Sequence, residues 1–155
     1  MTLIIGYGNP GRGDDGLGPE LARRLQAQAL PGVTVISDFQ LKVEHSVDVA
    51  GADRTVFLDA AIDTPAPFEF HEIAAAAHID ISSHRVRPET VVALAKQHFG
   101  TVGPVYVMAI RGVAFEVFSE DLSAEAAENL SAAEPFLVDW LGRTATSERP
   151  PSQNH

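Results

Sequence analysis

Short apolar runs alternate along the chain with segments that place their apolar residues on one helical face. Four runs have the length and β-branched content of buried strands: 2–8, 33–36, 54–58 and 104–110. Segments with helical spacing lie between them: 15–30, 41–50 and 88–99. A further strand with one wet face is predicted at 68–73, where apolar and polar residues alternate. On the second helical segment, the positions expected to face inward are Val43, Val47 and Ala50.

The last part of the chain predicts one long helix followed by a tail. Ser123 is placed to cap this helix, and its periodicity continues to Leu141 with a kink expected at Pro135. Residues 142–155 lose the periodicity and become polar and proline-containing. We expect this tail to be disordered.

Strands that alternate with helices predict the α/β class. We expect a single three-layer αβα domain over residues 1–141, built on a twisted sheet that is mostly parallel and partly mixed. The length of 155 residues favours one domain. A chain of this size buries enough surface to fold without disulfides or a structural metal.

Composition restricts the chemistry and the partners. Eleven Lys and Arg residues against 21 Asp and Glu give a formal net charge of −10, which argues against a nucleic-acid partner and is compatible with a metal or a basic peptide. Cysteine is absent, which excludes a thiol nucleophile and every cysteine-based metal site. Because no apolar run has the length of a membrane span and the chain opens on a strand, we expect a cytoplasmic protein without a membrane partner.

The segment Gly6–Gly18 is the most informative part of the sequence. It reads Gly-Tyr-Gly-Asn-Pro-Gly-Arg-Gly-Asp-Asp-Gly-Leu-Gly and joins the first strand to the first helix. A glycine-rich turn of this kind commonly receives a phosphate. Here the adjacent carboxylates of Asp14 and Asp15 would repel a phosphate. The segment therefore favours a cation, or a water molecule that must lose a proton.

Three carboxylates are predicted to meet at one edge of the sheet. Asp15, Asp38 and Asp59 each lie at or just after the carboxyl end of a predicted strand, where ligands bind in parallel sheets. The loop that carries His84 can reach the same edge. Two carboxylates and an imidazole suit a divalent transition-metal ion such as nickel, zinc or iron.

Simpler interpretations exist for each of these residues. Asp15 could be a helix cap, Asp59 a turn residue and His84 a solvated surface histidine. His45 follows Glu44 on the second helical segment, where we expect the pair to be exposed.

The order of these motifs resembles that of the hydrogenase maturation proteases, which remove a C-terminal peptide from the large subunit of a nickel–iron hydrogenase after nickel insertion. The resemblance covers residues 1–141 and rests on these elements: Gly6-x-Gly8-Asn9, Gly13-Asp14-Asp15-Gly16-x-Gly18, Asp59 and Ser83-His84.

The resemblance implies an endopeptidase whose Asp15, Asp59 and His84 contact nickel. The nickel arrives with the precursor of the hydrogenase large subunit, so the isolated protein is expected to be largely metal-free. The oligomeric state stays open, with a monomer favoured. Direct attack by water is implied, with Asp15 in the reacting site and either Asp38 or Asp14 orienting the loop or accepting a proton.

One segment departs from the pattern of the family. Many members have a glycine pair after the residue that matches Asp38, whereas this chain has Phe39-Gln40-Leu41 and then Glu44-His45. This resembles a branch associated with soluble, cofactor-linked hydrogenases. The departure leaves open the shape of the loop and which hydrogenase is processed.

Two other functions fit part of the sequence. The opening Gly6–Gly11 also resembles bacterial peptidyl-tRNA hydrolase, but residues 12–30 lack the histidine which that family places after its glycines, and the charge is unfavourable for tRNA. A non-enzymatic metal or nucleotide sensor is the third possibility. Three weak ligands and an acidic motif disfavour it.

Overall fold

The computed structural model describes residues 1–79, 86–116 and 118–148. A short 3₁₀ helix, Gly13–Gly16, connects the first strand to the first α-helix. The strands are β1 (Thr2–Tyr7), β2 (Val33–Asp38), β3 (Arg54–Ala61), β4 (Phe68–Ile73) and β5 (Val105–Arg111). The α-helices are α1 (Leu17–Ala27), α2 (His45–Ala50), α3 (Pro88–Phe99) and α4 (Ala124–Glu148).

The five strands form one mixed sheet in the order β2-β1-β3-β5-β4. β1 pairs in parallel with both β2 and β3, and β3 pairs in parallel with β5. β4 runs antiparallel to β5 at the edge. The register sets Tyr7 opposite Asp38 and Gly6 opposite Leu58, so the carboxyl ends of β2, β1 and β3 are adjacent. The predicted mostly parallel, partly mixed sheet is confirmed.

Alternate residues of the strands bury opposite faces of the sheet. On one face, Ile4 and Leu58 belong to a core that includes Leu21 of α1 and Leu137 of α4. On the other face, residues such as Phe57 pack in a second core with α2 and α3. These two cores produce the predicted three-layer αβα arrangement, since apolar side chains of parallel strands must be covered on both sides.

The first α-helix lies unusually close to the strands at Gly18. A Cβ atom on Gly18 would stand 2.6 Å from the carbonyl oxygen of Leu58 and 2.7 Å from that of Tyr7. Only glycine permits this approach. The contact holds the start of α1 directly against the ends of β1 and β3.

The prediction for the second helix was wrong in two respects. α2 begins at His45 instead of residue 41, and Val47 is exposed while Val49 is buried. His45 is itself buried, where the sequence predicted exposure. The reason is local: Nδ1 of His45 accepts a hydrogen bond from the backbone N–H of Lys42, and this bond fills the turn that precedes the helix.

The last helix continues beyond its predicted end. α4 spans Ala124–Glu148, so part of the predicted 142–155 tail is helical; residues 149–155 lie outside the described part of the chain. Arg143 pairs with Asp139 at 2.7 Å, and Thr144 donates a hydrogen bond to the carbonyl of Trp140, which extends the helix without an apolar stripe. None of the described helices combines the length and apolarity needed to cross a membrane.

Candidate functional site

A cavity of about 760 Å³ opens at the carboxyl edge of the sheet. Its wall is built by the Gly6–Gly18 segment, by residues 39–41 after β2, by residues 59–63 at the end of β3, and by Val86 and Arg87 before α3. These segments are far apart in sequence. The parallel strands bring them together, because their carboxyl ends meet at the same edge.

Asp15 lines this cavity and does not cap a helix. Its Oδ2 accepts a hydrogen bond of 2.7 Å from the backbone N–H of Asn9. The residue at the N-cap of α1 is Gly16, and no side chain caps that helix. The simpler interpretation of Asp15 as a helix cap is therefore wrong.

Asp59 lines the same cavity from the end of β3. Tyr7 donates a side-chain hydrogen bond to the Asp59 carboxylate. Burial of Tyr7, reinforced by the negative charge of Asp59, raises the pKa of the tyrosine well above its usual value. Tyr7 therefore remains a neutral donor that fixes the direction of the Asp59 carboxylate.

The structure brings two of the three predicted metal ligands to one cavity. The third, His84, lies outside the described residues. Within 1–79, 86–116 and 118–148, no three His, Asp or Glu side chains are grouped closely enough to hold a metal ion. Asp15 and Asp59 alone offer carboxylate oxygens from two directions, which is an incomplete shell for a transition metal.

Asp38 directs its carboxylate into the loop that follows β2. Oδ1 accepts the backbone N–H of Phe39 at 2.8 Å, and Oδ2 lies 3.2 Å from Nζ of Lys42 and 3.4 Å from Nε2 of His45. Desolvation opposes ionisation of Asp38, but the hydrogen bonds from Lys42 and Phe39 lower its pKa below the usual value. These contacts organise the loop. A catalytic role for Asp38 stays a prediction.

The backbone N–H of Lys42 determines which nitrogen of His45 faces Asp38 as a donor. Because Nδ1 of His45 accepts the Lys42 backbone N–H, Nε2 carries the ring proton and faces Asp38. The side chain of His45 is only 6% exposed. We refer to Asp38, Lys42 and His45 as the loop clasp.

Asp14 has a different environment from its neighbour Asp15. It is fully buried, and its carboxylate accepts backbone N–H bonds from Val113, Ala114 and Ser123, at 2.7–2.8 Å, and the hydroxyl of Ser123 at 2.7 Å. Burial opposes ionisation, but the bonds from Ser123, Val113 and Ala114 lower the pKa of Asp14. Asp14 therefore ties the glycine-rich segment to the residues after β5.

The same network positions the cap of the last helix. Oγ of Ser123 accepts the backbone N–H of Ala126 at 3.1 Å, which confirms the predicted cap of α4. Asp14 holds that hydroxyl in place, so its position in the motif has a structural explanation.

Sequence reasoning missed three side chains at the cavity: Tyr7, Arg12 and Arg87. Tyr7 and Arg12 lie inside the glycine-rich segment, and this position could have predicted that they line the site. Arg87 directly precedes the proline that opens α3, and only the fold brings it to the same cavity as the glycine-rich segment.

No protein-family model matches the sequence, and no curated protein matches it at a significant level. Solved structures do match its fold.

A hydrogenase 2 maturation peptidase from a Thaumarchaeota archaeon is 22% identical, with a TM-score of 0.65, over 92% of this chain and 98% of its own. The [NiFe] hydrogenase maturation protease HycI from Thermococcus kodakarensis is 20% identical over 90% of both chains, with a TM-score of 0.68. The hydrogenase maturating endopeptidase HybD from E. coli is 16% identical over 93% of both chains, with a TM-score of 0.65. The chain therefore has the fold of the hydrogenase maturation proteases.

Proposed function

We propose that this protein is an endopeptidase that removes the C-terminal extension of a nickel–iron hydrogenase large-subunit precursor. The observation that supports this function most strongly is the convergence of Asp15 and Asp59 on one cavity. That cavity lies at the carboxyl edge of a sheet whose fold is shared with solved hydrogenase maturation proteases.

The two carboxylates and His84 read the nickel that the precursor carries. Oδ2 of Asp15 is held by the N–H of Asn9, and Tyr7 holds the carboxylate of Asp59, so neither side chain must be ordered when the substrate binds. Without cysteine, the protein offers only oxygen and imidazole ligands. It therefore binds free nickel weakly and takes part in the coordination only when the precursor supplies the remaining ligands.

Water is the nucleophile in this proposal. The chain has no thiol, and the hydroxyl of Ser123 is engaged by Asp14 and by the start of α4. Asp15 is at the reacting site, where it can hold a proton as well as contact the metal. Asp38 acts on the reaction through the loop that it organises.

The direct test is incubation of the purified protein with a nickel-loaded large-subunit precursor and, separately, with the nickel-free precursor. Mass spectrometry should detect one released C-terminal peptide in the first reaction and none in the second. Equal cleavage of both precursors would contradict the reading of nickel. Cleavage of neither would contradict the proposed function.

A further inference from the structure

We infer that Arg12 and Arg87 form a subsite that binds an acidic side chain of the substrate peptide. This inference rests on the proposed function, which makes a peptide the occupant of the cavity. Both arginines line the cavity that also contains Asp15 and Asp59.

Both arginines are exposed at the cavity, and neither side chain is engaged by the described residues. Most described basic side chains have an acceptor: Arg23 and Arg24 pair with Glu20, Lys42 with Asp38, and Arg143 with Asp139. Arg12 and Arg87 form neither a hydrogen bond through their side chains nor an ion pair with any residue in the described ranges. Two exposed guanidinium groups in one cavity, without a partner among the described residues, are available to an anion from outside.

The backbone on each side of this subsite is fixed. Arg12 forms a β-bridge with Ser119, and the N–H groups of Gly13 and Ser119 bond to carbonyls across that bridge. Arg87 is the N-cap of α3, where its carbonyl accepts bonds from Thr90 and Val91. Both side chains therefore extend from rigid positions, which lowers the entropic cost of binding.

The acidic side chains of the cavity do not pair with the two arginines. Asp15, Asp59 and Asp63 also line it, and no oxygen of theirs lies within 4.0 Å of a nitrogen of Arg12 or Arg87. Neither guanidinium group is therefore engaged by a carboxylate of the cavity. Each can bind a carboxylate from outside through two parallel hydrogen bonds.

Apolar residues of the same cavity favour a peptide over a small anion. Phe39 is 70% exposed and Ile62 is 60% exposed, and both line the cavity. Exposed apolar side chains in the cavity that holds the two arginines suit an acidic residue flanked by apolar residues. The occupant is therefore an Asp or Glu side chain within an otherwise apolar stretch of the substrate.

The test compares three fluorescently labelled pentapeptides by anisotropy. The first is Ala-Leu-Asp-Leu-Ala with a blocked carboxyl terminus, the second replaces Asp with Asn, and the third is the Asn peptide with a free carboxyl terminus. The proteins are the wild type, Arg12→Gln, Arg87→Gln and the control Lys96→Gln. Lys96 is an exposed cation on α3 outside the cavity. Thermal melting establishes that each variant is folded.

We expect the wild type and Lys96→Gln to bind the Asp peptide about tenfold more tightly than the blocked Asn peptide, since a charge-assisted bond is stronger than a neutral one. Arg12→Gln and Arg87→Gln should each lose this preference. Equal binding of the first two peptides, or a preference that survives both substitutions, overturns the subsite. A preference for the free terminus alone overturns its assignment to a side chain.

A second arm separates failure of the subsite from failure of the proposed function. In precursor cleavage, Arg12→Gln should raise KM for the native extension and leave KM unchanged for an extension in which every Asp and Glu is amidated. If Arg12→Gln changes KM equally for both precursors, the subsite is overturned and the proposed protease function stands. Absence of cleavage by the wild type contradicts the function, and the peptide arm then decides on the subsite alone.

Discussion

At the scale of single residues, Asp14 and Asp15 are adjacent in the chain but serve different purposes. Asp14 is buried and accepts bonds from residues about 100 positions later in the sequence. Asp15 accepts one backbone bond and faces the cavity. The same substitution at each position therefore separates stability from activity.

Asp14→Asn should lower the free energy of unfolding by about 2 kcal/mol or more, because an amide replaces a buried, multiply bonded charge and cannot accept all of its bonds. Asp15→Asn should remain within about 1 kcal/mol of the wild type, since it keeps one oxygen for Asn9. Urea denaturation at neutral pH measures both. The structural role of Asp14 would be contradicted if the two variants were equally stable.

The lowered pKa of Asp14 makes this contribution depend on pH. A carboxylate whose folded-state pKa is below its unfolded value contributes fully above the unfolded value, about 4, and loses the contribution as the pH falls through the folded value. The stability difference between the wild type and Asp14→Asn should therefore narrow between pH 7 and pH 3. Denaturation curves at both pH values test this, and a difference that widens at pH 3 would reverse the assigned sign.

At the scale of elements, the loop after β2 is held by the loop clasp. Asp38, Lys42 and His45 connect the end of a strand to the start of α2. Between them lie Phe39, Gln40 and Leu41, which line the cavity. The contacts of the loop clasp therefore shape this part of the cavity wall.

His45→Leu should loosen the loop while leaving the sheet intact. The substitution removes the acceptor for the Lys42 N–H and the partner of Asp38, at a cost of about 1–2 kcal/mol. Hydrogen exchange should accelerate at the amides of residues 39–42 and remain unchanged in β1. Exchange that is unaltered in the loop would show that the clasp does not hold it.

The strands and most helices could be predicted because their signals are local. α3 begins at Pro88 and ends before Gly100, as predicted, and β4 matches its alternation pattern at 68–73. The burial of His45 could not be predicted from a local pattern. Its side chain is positioned by a hydrogen bond from the backbone N–H of Lys42 and not by a place on a hydrophobic face. α4 continues beyond Gly142 although its apolar stripe has ended. Arg143 pairs there with Asp139, and Thr144 donates a hydrogen bond to the carbonyl of Trp140.

The same distinction between local signals and long-range contacts applies to the candidate site. Asp15 and Asp59 could be placed at one edge because parallel strands must end together. The separation of Asp14 from Asp15 depends on Val113 and Ser123, which no local pattern connects to the motif. Arg87 was missed for the same reason, since only the folded chain brings it to the cavity.

At the scale of the whole molecule, a sheet covered on both faces leaves its carboxyl edge open for chemistry. The two cores take up the helices, and neither Asp15 nor Asp59 belongs to a core. Substitutions of these two carboxylates can therefore remove function without unfolding the protein. Loss of cleavage and loss of stability can therefore be separated by measuring both on the same variants.

The measurement is cleavage of the nickel-loaded precursor, followed by mass spectrometry, beside thermal melting of each variant. We expect Asp15→Asn, Asp59→Asn and His84→Ala to lose cleavage and retain the melting temperature, because each ligand acts only when the others are present. His71→Ala and His98→Ala, at exposed positions on β4 and α3, are the matched controls and should cleave normally. Cleavage at the wild-type rate by Asp15→Asn or Asp59→Asn would contradict the account.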